Sequence, residues 1–180
     1  MEFKTVINNR KSIRSYESRP IPDETLNFIL KTAQQAPSWM NKQCWHFIII
    51  NNPALIKEIA KTTLINRWVK QAPMLIIACA DPHESGSNNN IDYYTVDVAI
   101  AMQHIVLAAT DQGLGTCWIG SFNEQKLKNL LEIPPRIRVV AYTPLGYPKE
   151  KQTITDTSRT FFARSTKRKP LPKISHYNSW

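Results

Sequence analysis

The chain has 180 residues and a formal net charge of +9, and apolar side chains make up 42% of it. This length suits one domain over residues 1–180, and the apolar content indicates a folded globular protein rather than a disordered one. There is no run of about 18 apolar residues, and the first residues lack the apolar core of a signal peptide. We therefore expect a cytoplasmic protein with no membrane association.

Four segments have the apolar spacing of helices. They cover residues 22–36, 51–61, 94–112 and 122–133. The first has one apolar face and stops at Pro37, whereas Asn52 and Asn123 are suitable N-caps for the second and fourth. The third is apolar nearly all round and is interrupted only by Gln103 and His104, which is typical of a helix buried inside a protein.

Three short apolar runs are predicted strands, at residues 46–50, 74–80 and 137–146. Their apolar character is continuous rather than alternating, which indicates strands covered on both faces. Helices and few strands, irregularly interspersed, favour an α+β domain built in layers. The polar segment 81–92 is the clearest loop, and its length is typical of a loop that moves or borders a site.

The positive charge is concentrated near the two ends of the chain. Arg10, Lys11 and Arg14 surround Ser12 in the first cluster, and residues 164–169 form the second. Guanidinium and ammonium groups bind phosphate oxygens, and a serine hydroxyl adds a hydrogen bond. The two clusters are therefore candidates for binding nucleic acid, for sharing one small anion, or for being solvated surface without a ligand.

A second motif links the first helix to the first strand. It begins at Pro37 and interleaves the hydrogen-bonding side chains of Ser38 and Asn41 with the indoles of Trp39 and Trp45. A flat heteroaromatic ligand needs this combination, because amides and hydroxyls serve its ring edges and apolar groups cover its faces. An ordinary turn with Trp45 anchored in the core would have a similar sequence.

Glycines follow the longest helix in a third motif. Gly113 and Gly115 are predicted to cap the helix end in left-handed conformations, which would turn backbone N–H groups near Ile119 and Gly120 toward a ligand. This is not a dinucleotide-binding fingerprint, because Trp118 occupies the place of the third glycine and a helix precedes the turn. A bound nucleotide would therefore be held by side chains.

No side-chain nucleophile, metal site or disulfide pattern stands out. Cys44, Cys79 and Cys117 lie far apart and are predicted to be reduced, buried thiols. The four histidines lack the spacing of metal ligands, and His104 is predicted to be structural. Asp97, near the start of the longest helix, is predicted to cap or pair. If the protein is an enzyme, a cofactor carries the chemistry.

Taken in order, these motifs resemble the FMN-dependent nitroreductase family over nearly the whole chain. "RKSIRSY" is similar to the family's Arg-Arg-Ser-Ile-Arg-x-aromatic start, and "APSWMNKQCW" to its Ala-Pro-Ser-x-x-Asn-x-Gln-Pro-Trp. "DVAIAMQHIVLAATDQGLGTCWIG" resembles its central helix and the turn after it, and "PLGYPKE" and "KRKPL" resemble its closing segments. The resemblance implies a layered α+β fold with a central, mostly antiparallel sheet flanked by helices, and a homodimer with an FMN in each of two interfacial pockets.

The resemblance also implies which residues bind the cofactor. At the phosphate or ribityl end of FMN would lie Arg10, Lys11, Ser12 and Arg14. From the C-terminal segment they would be joined by Lys167 and Lys169, with Arg168 a further candidate. Approaching the flavin from the partner chain would be Pro37, Ser38, Trp39 and Asn41. Along the isoalloxazine ring near N5 would lie Trp118, Ile119 and Gly120. No residue is assigned a catalytic role, and no metal is implied.

Two features depart from the family pattern. Cys44 stands where the family has proline, so the entry to the first strand is expected to be less rigid. The family also places a polar or basic side chain before the second strand, near the flavin pyrimidine. Asn66, Arg67 and Lys70 are all candidates for that contact.

The function implied by the resemblance is that of an FMN-dependent NAD(P)H oxidoreductase. NADH or NADPH would pass a hydride to flavin N5, and a nitroaromatic, a quinone or another flat acceptor would then take electrons in the same pocket, a ping-pong reaction. The sequence does not distinguish NADH from NADPH.

Three alternatives stay open from the sequence. The same fold serves other flavin reactions, namely dehalogenation, flavin fragmentation and ring oxidation. A sensor or store would bind flavin without efficient turnover. A nucleic-acid-binding module would account for the charge of +9. No helix-turn-helix, zinc finger or RNA-binding aromatic motif supports that module, so we expect no nucleic acid partner.

Overall fold

The computed structural model describes residues 1–63, 65–149 and 168–180. The chain forms two units, Met1–Glu150 and Lys151–Trp180. In the first unit the described helices are α1 (Phe3–Asn9), α2 (Asp23–Gln34), α3 (Pro53–Ile59), α4 (Tyr93–Asp111) and α5 (Glu124–Leu130). Its described strands are β1 (Trp45–Ile50), β2 (Met74–Ala80), β3 (Ser87–Asn88), β4 (Ile91–Asp92), β5 (Gly115–Thr116) and β6 (Arg138–Gly146). The second unit has one described 3-10 turn, Leu171–Lys173. A single domain over residues 1–180 stays a prediction.

The central sheet has four strands in the order β1-β2-β6-β5. Each neighbouring pair is antiparallel, which confirms the expected sheet. The short hairpin β3-β4 forms a separate sheet. All four predicted helices and all three predicted strands are present, with ends that differ from the expected ones by at most three residues.

Strand β2 is buried on both faces, as its continuous apolar run predicts. All seven of its residues are buried. Because successive side chains of a strand point to opposite faces, Ile76 packs with Val98 of α4, whereas Ile77 joins Ile56 of α3 and Leu127 of α5. Helices therefore cover both faces of the sheet, and the chain has the expected layered α+β fold.

Helix α4 lies against the sheet and against α2 and α1. Val98, Met102 and Ile105 are fully buried, which confirms the prediction of a buried helix. Another side of α4 is not covered by the described residues, since Val96 is 37% exposed and Gln103 is also exposed. No described helix has both the length and the hydropathy needed to cross a membrane.

The two glycines after α4 behave differently. Gly113 has a φ of 71° and ends the helix in the left-handed region, as predicted. The same prediction for Gly115 was wrong. Gly115 lies in β5 opposite Gly146, and a Cβ atom there would stand 2.6 Å from the side chain of Ile13. Gly115 is therefore required for close packing rather than for a turn, a distinction that the sequence pattern does not carry.

The polar segment 81–92 is more ordered than a plain loop. It contains the 3-10 turn Pro82–Glu84 and the hairpin β3-β4. Asn89 and Asn90 form the tip with φ values of 51° and 61°, the pattern of a two-residue turn with both residues left-handed. Their side chains are exposed.

Candidate functional site

The first basic motif is attached to the edge of the central sheet. Ser12 forms a parallel bridge with Thr116 of β5, and the Ile13 N–H donates to the Thr116 carbonyl at 2.8 Å. Ile13 is buried, and the Tyr16 hydroxyl donates to the Ile13 carbonyl at 2.6 Å. The cations flanking Ser12 and Ile13 are therefore carried by a backbone that belongs to the sheet.

A cavity of about 100 Å³ lies where this motif meets the turn after α4. Its lining consists of Arg10, Ser12, Gln103, Val106, Thr116, Cys117 and Trp118. The structure thus brings Arg10 and Ser12 of the first motif together with Trp118 of the third. We refer to this cavity as the basic pocket.

Sequence reasoning missed four residues that line the basic pocket. Thr116 and Val106 give no sequence signal, because one lies in a two-residue strand and the other within an apolar run. Cys117 was expected only as a buried thiol, which it is. Gln103 did carry a signal, since it is one of the two polar interruptions of α4.

The thiol of Cys117 adds no negative charge to the basic pocket. Burial raises its pKa above the ordinary value, while the charges of Arg14 and Arg10 and a hydrogen bond with Ser12 act in the opposite direction. The net shift is upward, so the thiol is neutral at pH 7. No carboxylate occurs among the described lining residues, and the pocket is therefore positive.

In the third motif, Ile119 is anchored to the sheet, and its neighbours Trp118 and Gly120 are open. Ile119 donates its N–H to the Tyr142 carbonyl at 2.9 Å and its side chain is 2% exposed. The predicted availability of this N–H to a ligand was therefore wrong. Trp118 is 42% exposed, and a Cβ atom at Gly120 would meet nothing within 4 Å. Among the described residues, none accepts a hydrogen bond from the Gly120 N–H.

The second motif forms a tight turn with an unusual backbone. Met40, Asn41 and Gln43 have φ values of 47°, 56° and 54°, which are uncommon for residues other than glycine. The Gln43 N–H donates to Ser38 Oγ at 2.9 Å and closes the turn. The Ser38 oxygen therefore has a structural role, whereas Asn41 is exposed.

The buried carboxylate of Asp97, on α4, accepts hydrogen bonds from this turn and from residues next to it. It is 2% exposed and accepts hydrogen bonds from the Trp39 N–H at 2.9 Å, the Ser85 hydroxyl at 2.8 Å and the Cys44 thiol at 3.5 Å. Burial, together with the charge and hydrogen bond of Asp97, raises the pKa of Cys44 to about 12. The predicted pairing of Asp97 is confirmed. Cys44, which stands where the family has proline, is among the residues bound to Asp97. These contacts do not indicate the lower rigidity that was expected at the entry to the first strand.

The indole of Trp39 joins the turn to segment 81–92. Its ring centroid lies 4.5 Å from that of Tyr93. A Cβ atom at Gly86 would stand 2.4 Å from the indole, so the ring lies directly on this glycine. Segment 81–92 therefore borders the second motif.

Within one chain, the second motif is not brought to the basic pocket. None of Pro37, Ser38, Trp39 or Asn41 is among the described lining residues of that pocket. Asp97 and Val106 are nine positions apart on α4, which corresponds to roughly 14 Å along a helix.

The other predicted site residues are divided among further locations. Lys11 lines a separate cavity of about 200 Å³ beside Gly113. Arg67 and Lys70 line a third cavity, and the N–H of the half-buried Asn66 donates to Thr63 Oγ1 at 3.3 Å. Lys167 lies outside the described residues, and Lys169 is exposed in the second unit.

An apolar groove of about 630 Å³ runs along the uncovered side of α4. Its lining consists of Phe3, Thr95, Val96, Ala99, Ile100, Gln103, His104 and Leu107. Phe3 is 73% exposed, and His104 contacts the Thr32 carbonyl through Nδ1 at 3.2 Å, as expected of a structural histidine. Gln103 lines both this groove and the basic pocket, so the two are contiguous.

The antiparallel sheet between two helical layers, with a basic pocket at its edge, defines an α+β protein suited to an anionic ligand. The family model described as "Putative TM nitroreductase" matches residues 2–180. The chain therefore belongs to the nitroreductase family of oxidoreductases.

Two relatives illustrate the similarity. A solved structure of a nitroreductase family protein from Clostridium novyi NT is 46% identical in sequence, with a TM-score of 0.81. The match covers 83% of this chain and 87% of that one. The "Putative NADH dehydrogenase/NAD(P)H nitroreductase" of Archaeoglobus fulgidus is 34% identical over 164 residues, which are 89% of this chain and 93% of that protein.

More distant relatives have more specific names. "FMN reductase [NAD(P)H]" of Bacillus subtilis is 28% identical over 162 residues, covering 81% of this chain and 65% of that protein. "Iodotyrosine deiodinase 1" of Homo sapiens is 26% identical over 203 residues, covering 96% of this chain and 67% of that protein.

Proposed function

We propose that this protein is an FMN-dependent NAD(P)H oxidoreductase that reduces nitroaromatics, quinones or similar flat acceptors. One observation carries the proposal: Arg10 and Ser12 share the basic pocket with Trp118, beside the open position of Gly120. A cation and a hydroxyl suit a phosphate, and an indole next to an open backbone suits a ring. The names of the Archaeoglobus and Bacillus relatives support a nicotinamide donor and a flavin.

The residues of the pocket fit FMN in charge. Arg10, Ser12 and Arg14 would hold the phosphate or ribityl end, with Lys11 next to them in the chain. Trp118 and Gly120 would face the ring, and Ile119, fixed to Tyr142 of β6, would set their position. Because the Gly120 N–H has no acceptor among the described residues, it is the backbone donor that we assign to the ring edge.

We also propose that the active form is a homodimer. The basic pocket of about 100 Å³ is smaller than ordinary small-molecule pockets of roughly 300 Å³ or more. The described residues of one chain therefore do not enclose a flavin by themselves. The contiguous apolar groove along α4 is a suitable surface for a second copy. That copy would supply Pro37, Ser38, Trp39 and Asn41, whose turn contacts α4 at Asp97, nine positions from Val106 of the pocket in their own chain.

The chain's own contribution is binding, orientation and exclusion of water. When bound, FMN would supply the chemistry, hydride transfer from NADH or NADPH and electron transfer to the acceptor in separate half-reactions. The cations hold the anionic end of the ligand. The partner's turn, held by Asp97, would border the open face and restrict it to flat molecules. We assign no side chain of the pocket the role of an acid or a base.

An absorption spectrum of the purified protein tests the proposal. It is recorded before and after anaerobic addition of NADH and, separately, NADPH. We expect a flavin band that either donor bleaches, and reoxidation when a nitroaromatic or a quinone is added. A flavin band that neither donor bleaches would favour a sensor or store. No flavin band after FMN is added would overturn the site.

The similarity to iodotyrosine deiodinase favours reductive dehalogenation as a second candidate function. The two functions share the fold and the cofactor and differ in the acceptor. Incubating the reduced protein with iodotyrosine and measuring iodide release distinguishes them. Iodide release faster than nitroaromatic reduction would favour dehalogenation.

A further inference from the structure

A third cavity shares no described lining residue with the basic pocket. It has a volume of about 680 Å³ and is formed by α3, the turn after it and the 3-10 helix Arg67–Gln71. Its lining consists of Lys57, Ala60, Lys61, Arg67, Lys70 and Gln71. We call it the basic groove.

Four of these six residues are cations, and their spacing along the chain brings their side chains to the same groove. Lys57 and Lys61 are one helical turn apart, and Arg67 and Lys70 are three positions apart on a 3-10 helix, which puts them on the same side. Lys61 Nζ lies 2.6 Å from Glu58 Oε1. Within the described residues, no ion pair or hydrogen bond engages the side chains of Lys57, Arg67 and Lys70.

Three unpaired cations around a concave surface favour an anionic ligand. Like charges at close range repel each other, and a concavity strengthens their combined field. A phosphate group relieves the repulsion and accepts hydrogen bonds from guanidinium and ammonium groups. The volume exceeds the needs of one inorganic ion and lies within the range of small-molecule pockets, roughly 300–1,000 Å³.

We propose that the basic groove binds the diphosphate of a nucleotide. Two sources share this chemistry, the diphosphate of the NAD(P)H donor and that of a free nucleoside diphosphate. For the donor, the inference rests on the proposed function. For a free nucleotide, it stands independently of the flavin.

The position of the groove favours the donor. Trp68 belongs to the same 3-10 helix as Arg67 and Lys70, and its ring stacks on that of Tyr16 with centroids 6.4 Å apart. Tyr16 follows Arg14 by two residues. The helix that carries two groove cations is therefore packed on the segment that carries Arg14 and, six residues before Tyr16, Arg10 of the basic pocket.

Isothermal titration of the flavin-loaded protein with ADP tests the groove, with adenosine and inorganic phosphate as comparison ligands. Arg67→Ala and Lys70→Ala should each weaken ADP binding about 10-fold, the effect of losing one charged hydrogen bond. Lys126→Ala on α5 is the matched control, since it removes an exposed lysine that does not line the groove. We expect ADP affinity in this control to stay within about twofold of the parent.

Steady-state kinetics with the same variants distinguish the two sources. A higher KM for NADH or NADPH at unchanged kcat would identify the donor as the ligand. Weaker ADP binding with an unchanged KM would identify a free nucleotide. Both results support the groove as a diphosphate site.

Other results would overturn the proposal. They are an absence of ADP binding, equal binding of adenosine and ADP, or equal losses in the Lys126→Ala control. Tight, steeply salt-dependent binding of a single-stranded oligonucleotide without ADP binding would show a nucleic acid surface instead. Flavin content is read separately by absorbance, so a failure of the flavin proposal is not confused with a failure of the groove.

Discussion

The backbone N–H of Trp39 donates to Asp97 Oδ1 at 2.9 Å, across 58 positions of the sequence. The same carboxylate accepts from Ser85 and Cys44, so one buried side chain joins the start of α4 to two separate segments. The turn it holds contains three left-handed residues other than glycine. Such a backbone persists only where the surrounding contacts determine it. Asp97 is therefore central to the shape of the second motif.

Replacing Asp97 by alanine should destabilise the protein by about 3 kcal/mol, because buried N–H, O–H and S–H donors would lose their acceptor. Urea unfolding followed by circular dichroism measures the effect. Asp92→Ala is the control, since the Asp92 side chain makes no capping hydrogen bond at the same helix end. Equal losses in the two variants would show that the Asp97 contacts contribute nothing specific.

Arg10→Ala should weaken FMN binding by about 1.5–3 kcal/mol, the contribution of one charged hydrogen bond. The protein would then lose flavin on dilution, which absorbance after gel filtration detects. Lys4→Ala removes an exposed cation of α1 and serves as the control for net charge. A flavin content that is unchanged in the Arg10 variant would remove Arg10 from the site.

Gly120→Ala should reduce FMN affinity without changing the stability of the FMN-free protein. A Cβ atom at Gly120 meets nothing within 4 Å of the described protein, so a methyl group is obstructive only if a ligand lies there. Gly115→Ala is the contrasting variant, because its Cβ atom would stand 2.6 Å from Ile13 and overpack the core at a cost of about 1–3 kcal/mol. Fluorescence titration with FMN and urea unfolding separate the two effects. Normal FMN affinity in Gly120→Ala would show that the flavin ring does not lie beside Gly120.

Ile100→Glu should separate the proposed dimer and release flavin with it. Ile100 lines the apolar groove of α4 and is only half-buried in one chain. A carboxylate there would be tolerated in a monomer but not between two copies. Sedimentation velocity measures the mass, and Ile65→Glu, at a position 62% exposed and outside the groove lining, is the control. A dimer that survives the Ile100 substitution would place the interface on another surface.

Stability should fall at alkaline pH because Cys44 resists ionisation in the folded chain. Burial and Asp97 raise the pKa of Cys44 from 9.0 to about 12. The unfolded chain therefore binds fewer protons than the folded chain in this window, and the stabilisation present below pH 9 is lost as the pH rises toward 12. The slope from this thiol is about 1.4 kcal/mol per pH unit.

Cys44→Ser tests that origin, because serine keeps a donor for Asp97 and does not ionise in this range. Urea unfolding is measured at about pH 8, 9.5 and 10.5. The free energy of unfolding should decrease less with rising pH in the variant than in the parent. The remaining slope would include Cys79, whose pKa is also raised to about 12 by burial and the charge of Glu124. Parallel pH profiles would show that Cys44 does not carry the effect.

The elements that the sequence predicts best are those with long, uniform patterns. The apolar runs of β2 and α4 have one physical interpretation each, burial on both faces of a sheet and burial of a long helix. The caps at Asn52 and Asn123 were also predicted, because capping depends on residues only two or three positions away. Local rules succeed where the partners are local.

The features that the sequence did not predict depend on distant partners. The three contacts of Asp97 and the need for glycine at position 115 both join residues far apart in the chain. Strand order and register are likewise set by pairing across the sheet. Helix α1 was missed because a segment of seven residues is too short to show a recognisable apolar periodicity.

The bridge between Ser12 and Thr116 has a consequence for how tightly the pocket can bind. Because the Ile13 N–H is already a rung of the sheet, an incoming anion immobilises side chains but almost no backbone. Affinity at Arg10 is therefore preorganised by folding, and it is tied to the integrity of a strand only two residues long. A substitution that disrupts β5 would therefore weaken ligand binding, as would removal of a charged side chain that contacts the ligand.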